Sequence, residues 1–224
     1  MKLTVIVPML NEARALPQLL PQLQRLQADG HQLLLVDGGS DDGSAQLARG
    51  AGFQVIESAR GRARQMNAGV EHACGDVLLF LHADTRLPAD YWPAIRQGLA
   101  QGNRVWGRFD VSIEGRPSML RVVSLMINLR SRLSGIATGD QAIFVKHGVF
   151  IEAGRFADLP LMEDIDLSQR LLRLSRPLCL RQRVTTSGRR WETRGVWTTI
   201  FLMWRLRYAY WRGVPASELA KAYL

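Results

Sequence analysis

Short apolar runs alternate with helical patterns over the first 81 residues, and this alternation constrains the fold more than any other feature. The apolar runs lie at residues 3–7, 33–36, 53–56 and 77–81. Between them helices are predicted from residue 11 to about residue 28, in a short stretch after residue 44, and at residues 60–72. Such short continuous runs are typical of strands buried on both faces. Strands separated by helices at this spacing form βαβ units. The sequence therefore predicts an α/β fold, with a Rossmann-like, mostly parallel sheet flanked by helices.

After residue 85 the pattern changes. A half-exposed strand is predicted at residues 105–113, where apolar and polar residues alternate, and an apolar helix at 119–133. A further strand is predicted at 141–146 and a helix at 163–174. We expect one domain over residues 1–192 and an amphipathic helical tail over residues 193–224.

The tail is rich in aromatic residues and arginines. Trp197, Trp204 and Trp211 lie in one stretch with Arg205 and Arg212. This composition suits a helix at a membrane interface, but a helix packed on the domain or on a second subunit of a homodimer has similar content. A peripheral membrane contact through residues 195–212 and packing against protein therefore stay open alternatives.

The net charge is +9, from 29 basic and 20 acidic residues. This excess favours a polyanionic partner, such as the phosphates of a small ligand, nucleic acid or an anionic membrane surface. Cys74 and Cys179 form no disulfide framework or metal-spaced cluster. No apolar stretch reaches the roughly 18 residues of a membrane-spanning helix. The apolar run at residues 3–7 is too short for the apolar region of a signal peptide. We expect a cytoplasmic protein, with any membrane contact peripheral and on the inner face.

Polar residues follow each of the four predicted strands, at positions that would meet along one edge of a parallel sheet. Asp37 could accept hydrogen bonds from a base or ribose, and Arg62 could offer a guanidinium fork to phosphates. His82 and Asp84 could together hold a divalent cation. The alternatives are a turn capped by Asp84 and an arginine on a solvated helix face. No phosphate-binding loop or dinucleotide fingerprint is present.

Five motifs, in order and at workable spacings, resemble the successive motifs of family 2 glycosyltransferases. They lie at residues 5–12 (VIVPMLNE), 36–44 (VDGGSDDGS), 81–85 (LHADT), 139–141 (GDQ) and 162–167 (MEDIDL). The resemblance extends from about residue 3 to about residue 191. Within the family the chain looks most like the short single-domain members called rSAM/selenodomain-associated transferases.

This resemblance implies a GT-A fold, a nucleotide-diphosphate sugar as donor, with UDP as the leading choice, and inversion at the anomeric carbon. It implies a set of donor-binding residues: Pro8, Asn11, Glu12, Asp37, Gly39, Arg62, Asn67, Ala83, Asp84, Gly139, Asp140, Gln141, Arg190 and Trp191. Asp84 matches the last acidic position of the family's metal-binding motif, whereas His82 replaces the first. The implied cofactor is Mn²⁺ or Mg²⁺, with Mn²⁺ slightly favoured because it accepts imidazole more readily.

Glu163, Asp164 and Asp166 form an acidic cluster at the start of a predicted helix. Displacement by an acceptor hydroxyl needs one carboxylate to take the hydroxyl proton. Helix capping is the alternative role, and it suits Asp166 best. By resemblance Asp164 is the base, with Glu163 as the second candidate.

Two other functions compete with this prediction. A non-catalytic basic module for RNA or membrane lipid would explain the net charge. It would leave the acidic strand ends unexplained, since they would repel a phosphate backbone, so we expect no nucleic-acid partner. A degenerate transferase that binds donor without turnover is the other alternative. The sugar and the acceptor are not identified by the sequence.

Overall fold

The computed structural model describes residues 1–223, which form one mixed sheet with helices on both faces. The strands are β1 (Leu3–Met9), β2 (Gln32–Asp37), β3 (Gln54–Glu57), β4 (Val77–Phe80), β5 (Thr85–Arg86), β6 (Trp106–Glu114), β7 (Phe144–Lys146) and β8 (Leu178–Ser187). The helices are α1 (Leu16–Ala28), α2 (Ser44–Gly50), α3 (Arg62–Glu71), α4 (Tyr91–Ala100), α5 (Met119–Ser134), α6 (His147–Glu152), α7 (Glu163–Leu172), α8 (Arg189–Arg194), α9 (Val196–Trp211) and α10 (Ala216–Tyr223).

The strand order is β3-β2-β1-β4-β7-β6-β8-β5. The first four strands in this order are parallel, and their apolar runs are largely buried, as the sequence predicts. β4 pairs with β7 in the antiparallel direction, so the sheet changes character at β4. The α/β fold is confirmed, and the part of the sheet beyond β4 is mixed.

The strand predicted at residues 105–113 is confirmed as β6, but its predicted half-exposure is wrong, because β6 is buried along nearly its whole length. Its alternating polar residues do not face solvent. Arg108 is fully buried and bonds Asp110, the Ser131 hydroxyl and the Asn128 carbonyl. The alternation therefore reflects a buried ion pair beneath α5, which covers this face.

β8 is a ten-residue strand that the sequence analysis did not predict. Arg181 and Arg183 interrupt its apolar residues, so it carries no buried-strand pattern. It runs parallel to β6 and pairs with β5 on its other side. It thereby brings Thr186 next to the end of β4 and completes one wall of the site described below.

α5 is held on β6 by a side chain that replaces strand pairing. The Asn128 amide bonds both backbone groups of Val111, accepting from its N–H at 2.8 Å and donating to its carbonyl at 2.9 Å. The Gln141 amide donates to Asn128 at 3.4 Å. Asn128 thus ties the turn at Gly139–Gln141 to both α5 and β6.

We predict that Asn128→Ala lowers the free energy of unfolding by about 3 kcal/mol, because it leaves buried Val111 N–H and C=O groups without partners. Urea denaturation measures the change. Asn103→Ala, the same substitution at an exposed position, should change stability by less than about 0.5 kcal/mol. Equal effects of the two variants would contradict this role of Asn128.

Candidate active site

The loops that follow β1 and β2 are joined by hydrogen bonds. Asn11 has a positive φ of 55°, and its N–H donates to the Ser40 hydroxyl at 3.0 Å. Its side-chain oxygen accepts from the Asp41 N–H at 3.0 Å. The Glu12 N–H donates to the Ser44 hydroxyl at 2.8 Å. Asn11 and Glu12 are therefore fixed beside the loop of Asp37.

Because this loop needs a left-handed residue at Asn11, α1 begins later than predicted. The sequence pattern had suggested a helix from residue 11, whereas α1 begins at Leu16. Pro17 then lies in its first turn, where a missing N–H costs nothing. The segment before it is free to form the loop wall of the site.

Asp37 shapes its own loop from the end of β2. The carboxylate is buried and accepts from the Gly39 N–H and the Ser40 N–H, both at 3.0 Å. The Ser40 hydroxyl donates to its other oxygen at 2.5 Å. Gly39 is exposed with φ +85°, a conformation that favours glycine. The loop is thus pre-formed, with Pro8 bordering it at the end of β1.

Gln65 is a site-building residue that the sequence analysis missed. Its buried amide donates to the Met9 carbonyl at 2.8 Å and to the Val36 carbonyl at 2.9 Å. It thereby joins the ends of β1 and β2 from below. The available signal was a polar residue on the buried face of the predicted helix at 60–72.

A tight turn after β4 separates the two predicted metal ligands. The Thr85 N–H donates to the His82 carbonyl at 3.0 Å. Asp84 lines a groove of about 320 Å³ together with Arg14 and Arg189. His82 instead lines a small cavity with Glu163 and Asp164. Ala83, between His82 and Asp84 in the chain, is buried and lines the groove.

Asp84 fits a cation site better than His82 does. Its Oδ1 has only long contacts with the hydroxyls of Thr85 and Thr186, at 3.3 and 3.4 Å, so the carboxylate keeps free lone pairs. Among residues 1–223 no three His, Cys, Asp or Glu side chains are grouped as a metal site. A Mg²⁺ or Mn²⁺ ion bound mainly by substrate phosphates needs only one or two carboxylates. The donor set fits such an ion on Asp84.

His82 packs against the turn at Gly139–Gln141. A Cβ on Gly139 would lie 2.5 Å from its Nε2, so this position accepts only glycine without rearrangement. Burial, assisted by the positive charge of Arg62, lowers the pKa of His82 to about 3. The imidazole is therefore neutral at pH 7 and can accept or donate a hydrogen bond in the small cavity.

The acidic cluster lies at the start of α7, after Met162 in a left-handed conformation with φ 70°. Asp164 Oδ2 accepts from the Gly139 N–H at 2.8 Å. Burial raises the pKa of Asp164 to about 6, and the adjacent charge of Glu163 adds to the shift. Glu163 is buried, with the Arg62 guanidinium 3.5 Å from its Oε1. Asp164 is thus suited to accept a proton near neutral pH.

Asp166 has a different role from its neighbours. Its carboxylate forms an ion pair with Arg170 one turn later on α7, with the Arg170 Nε 2.9 Å from Oδ2. Its role is therefore structural, but it is an ion pair within the helix and not the helix capping that was the predicted alternative.

A second pair of buried charges lies behind the turn at Gly139–Gln141. Asp140 Oδ1 and the Nε and Nη2 atoms of Arg130 are buried without hydrogen-bond partners in the described residues. Burial raises the pKa of Asp140, and Arg130 opposes that shift. Gln141 is fully buried and belongs to a capping box with Thr138. Arg130 was missed because it lies in an apolar helix without a motif.

Three predicted donor residues lie at the edge of this group or outside it. The Asn67 amide bonds the backbone of Phe156, donating to its carbonyl at 2.8 Å and accepting from its N–H at 3.1 Å. Trp191 packs against the main apolar cluster. The Arg190 guanidinium lies 4.1 Å from the ring centroid of Tyr223. Burial lowers the pKa of Arg190, whereas the nearby carboxylate of Asp84 raises it.

Glu12 links the donor loops electrostatically to Asp84. Burial raises the pKa of Glu12. Arg189 and Arg62 oppose that shift, whereas Asp84 and Asp42 add to it. The groove itself is lined by Asp84 and Glu114 together with arginines, an arrangement able to bind a phosphorylated ligand and a cation together.

Comparisons with known proteins agree with this geometry. Residues 4–156 match the model of the family described as glycosyl transferase family 2. The undecaprenyl-phosphate 4-deoxy-4-formamido-L-arabinose transferase of Klebsiella pneumoniae (strain 342) is 30% identical over 158 residues, which are 65% of this chain and 48% of that protein. The corresponding protein of Pseudomonas paraeruginosa (strain DSM 24068 / PA7) is 29% identical over 159 residues, 64% of this chain and 45% of that protein. The chain thus spans about half the length of these curated relatives.

Solved structures show the same fold at low identity. The S. aureus TarS 1-349 structure in complex with UDP has a TM-score of 0.66 and 18% identity, covering 84% of this chain and 60% of that one. The mannosyltransferase PcManGT of Pyrobaculum calidifontis, in complex with GDP-Man and Mn²⁺, has a TM-score of 0.65 and 21% identity, covering 93% and 61%. Together with the family match over more than half of its length, this shows that the chain belongs to glycosyl transferase family 2 and has its GT-A fold.

Proposed function

We propose that this protein transfers a sugar from a nucleotide-diphosphate sugar to an acceptor hydroxyl by direct displacement, with inversion at the anomeric carbon. The observation that carries the proposal is Asp164, a carboxylate with a raised pKa at the carboxyl edge of the sheet. Membership of the family supports glycosyl transfer. Related structures in complex with UDP-GlcNAc, UDP and GDP-Man support a nucleotide-sugar donor, and we take UDP as the leading nucleotide.

In the proposed reaction the acceptor oxygen bonds to the anomeric carbon as the bond from that carbon to the diphosphate breaks. Asp164 takes the hydroxyl proton, and the nucleoside diphosphate leaves with the bonding electrons. The Gly139 N–H holds the carboxylate in place at 2.8 Å. Glu163, paired with Arg62, is the second carboxylate. Its charge disfavours ionisation of Asp164 and so keeps the base near the acidity it needs.

The proposed donor site lies between the Asn11 and Asp37 loops and the end of β4, beside the groove that Asp84, Arg14 and Arg189 line. Two arginines supply the positive charge that a departing diphosphate requires. Arg189 lines the groove, and Arg190 is close enough to Asp84 for the two charges to interact. A Mn²⁺ or Mg²⁺ ion held by Asp84 and the donor phosphates would neutralise the same charge. The geometry supports Asp84 for this role and does not support His82. The related structures in complex with Mn²⁺ favour a divalent ion.

A phosphate acceptor is the second candidate, because the curated relatives are named for undecaprenyl phosphate. A phosphate oxygen is already ionised at pH 7 and needs no general base. The raised pKa of Asp164 favours a hydroxyl acceptor. The effect of removing the base therefore distinguishes a hydroxyl acceptor from a phosphate acceptor. Turnover by the unsubstituted chain distinguishes an active transferase from a degenerate one.

We predict that Asp164→Asn lowers kcat for sugar transfer by about a thousandfold while donor affinity changes less than about threefold, because only proton transfer is lost. Donor hydrolysis or transfer and nucleotide affinity are measured together. Asp158→Asn, at an exposed carboxylate paired with Arg64, should leave both unchanged. Retained transfer with a phosphate acceptor would favour that acceptor class, and no turnover by the unsubstituted chain with any donor would favour a degenerate transferase.

The pH profile gives an independent check. Below the raised pKa of about 6, Asp164 becomes protonated, so we expect kcat/KM to fall about tenfold per pH unit as the pH decreases further. The folded chain holds this proton more tightly than the unfolded chain does. The contribution of Asp164 to the free energy of unfolding therefore decreases as the pH rises from about 4 to about 6.

The variant Asp164→Asn removes this dependence. Its free energy of unfolding, relative to that of the unsubstituted chain, should thus increase over the same pH range in urea titrations. A kcat/KM profile that is flat down to pH 4 would argue against Asp164 as the base.

Thermal shift tests the donor and the ion. UDP with Mn²⁺ should raise Tm more than either alone, and Asp84→Asn should remove the extra shift, because the ion loses its protein ligand. GDP and other nucleotides serve as the comparison set. Asp76→Asn, at the opposite end of β4, is the matched control and should keep the shift. A Tm increase with RNA but with no nucleotide would instead support the basic binding module.

A further inference from the structure

α9 presents a continuous aromatic face to solvent. Five side chains on it are 59% to 76% exposed: Trp197, Phe201, Trp204, Tyr208 and Trp211. At 100° per residue they fall within an arc of about 80° on the helix. Neighbouring rings contact one another along this face, with centroids 6.0 to 6.5 Å apart, and do not turn inward. Large exposed apolar patches of this kind mark interaction surfaces.

α5 carries a second exposed apolar face. Its members are Val122, Leu125, Met126, Leu129 and Leu133, which are 47% to 71% exposed. They also fall on one side of their helix by spacing. The opposite side of α5 is committed to β6 through Ser124 and Asn128.

The two helices lie on the same side of the protein. Val196 and Ile200 of α9 pack against the apolar cluster that contains Val123 of α5. Ile136, just after α5, packs with Leu206 in another cluster. Both ends of α5 therefore share apolar clusters with α9. We call the exposed residues of α5 and α9 named above the α5/α9 face.

Arginines flank the aromatic face on both sides. By helical spacing Arg205 and Arg212 lie about 60° to 80° to one side of its centre and Arg207 about 80° to the other. Arg121 adds an exposed charge on α5. Neither α5 nor α9 contains an aspartate or glutamate. The face thus combines tryptophan and tyrosine with positive charge alone.

We propose that the α5/α9 face docks on the surface of an anionic lipid bilayer. Aromatic rings with flanking arginines suit the boundary between acyl chains and headgroups, where the rings are buried and the guanidinium groups meet phosphates. No helix in residues 1–223 is long and apolar enough to cross a membrane. Because the exposed side chains run along the lengths of α5 and α9, the proposed contact lies parallel to the surface. A two-fold contact between copies would bring arginines together with no carboxylate from these helices to oppose them, so charge complementarity favours the bilayer.

Docking would place the candidate active site close to the lipid surface. Leu206, on the inner side of α9, belongs to the same buried cluster as Met162 and Ile165. These two residues flank Glu163 and Asp164 in sequence. One helix, about 10 Å thick, therefore separates the proposed bilayer surface from the start of α7.

Vesicle sedimentation tests the proposal with the whole chain. Vesicles of phosphatidylcholine alone are compared with vesicles in which about a quarter of the lipid is phosphatidylglycerol, at two salt concentrations. We expect binding to the anionic vesicles that weakens with salt. Trp204→Ser combined with Trp211→Ser should weaken it about tenfold or more. The matched control, Leu47→Ser with Leu174→Ser, removes apolar groups of 44% and 46% exposure elsewhere and should bind as before.

The charge contribution is tested separately. Arg205→Gln with Arg212→Gln should reduce affinity for anionic vesicles roughly fivefold per arginine and leave the weaker binding to phosphatidylcholine unchanged. No binding to either vesicle, or equal loss in the control variant, would overturn the proposal. A lipid-free dimer in light scattering that the tryptophan variant converts to monomer would show that the face instead joins two copies.

Discussion

Two carboxylates lie side by side at the start of α7, and the rest of the candidate site depends on how the fold tolerates them. Adjacent buried negative charges repel each other and lose hydration, which favours protonation of one of them. Arg62, at the start of α3, lies 3.5 Å from Glu163, and the Gly139 N–H bonds Asp164. The amino end of α7 adds a favourable dipole. Glu163 is thereby paired, while Asp164 keeps a raised pKa and can exchange a proton.

These supports are themselves held in place by buried polar groups. The turn that presents Gly139 is tied by Gln141 to Asn128, and Asn128 bonds the backbone of β6. Arg108 of β6 donates to the Asn128 carbonyl. A continuous set of hydrogen bonds therefore connects the second half of the sheet to the proposed base. The rigidity of Asp164 is a property of β6 and α5 as much as of its own helix.

The sequence predicted the parallel half of the sheet and the order of its motifs, because buried parallel strands show continuous apolar runs. It predicted the strand β6 but not its burial, and it did not predict β8, because in both strands the side-chain pattern does not follow the burial. In β6 the polar positions are satisfied internally by Arg108 and Asp110, so alternation did not mean exposure. Gln65 could not be found from motifs, because its role arises from contacts with β1 and β2, which are distant from it in the chain. Sequence spacing predicted that His82 and Asp84 bind one cation together. In the structure the turn that ends at Thr85 separates them, so His82 lines the small cavity and Asp84 lines the groove.

The basic excess is distributed unevenly over the molecule. Carboxylates are concentrated at the ends of the strands and the start of α7, where arginines pair with them or face them across the groove. α9 instead carries arginines and has no aspartate or glutamate of its own. A long polyanion would meet the carboxylates of the groove, whereas a small diphosphate with a cation complements them. The arginines of α9 can attract an anionic surface at the same time. The net charge of +9 is therefore the sum of two separate groups of charges, one around the groove and one on the outer face. A groove for a phosphorylated small molecule and a basic outer face are thus compatible on one chain because the two sets of charges lie on different elements.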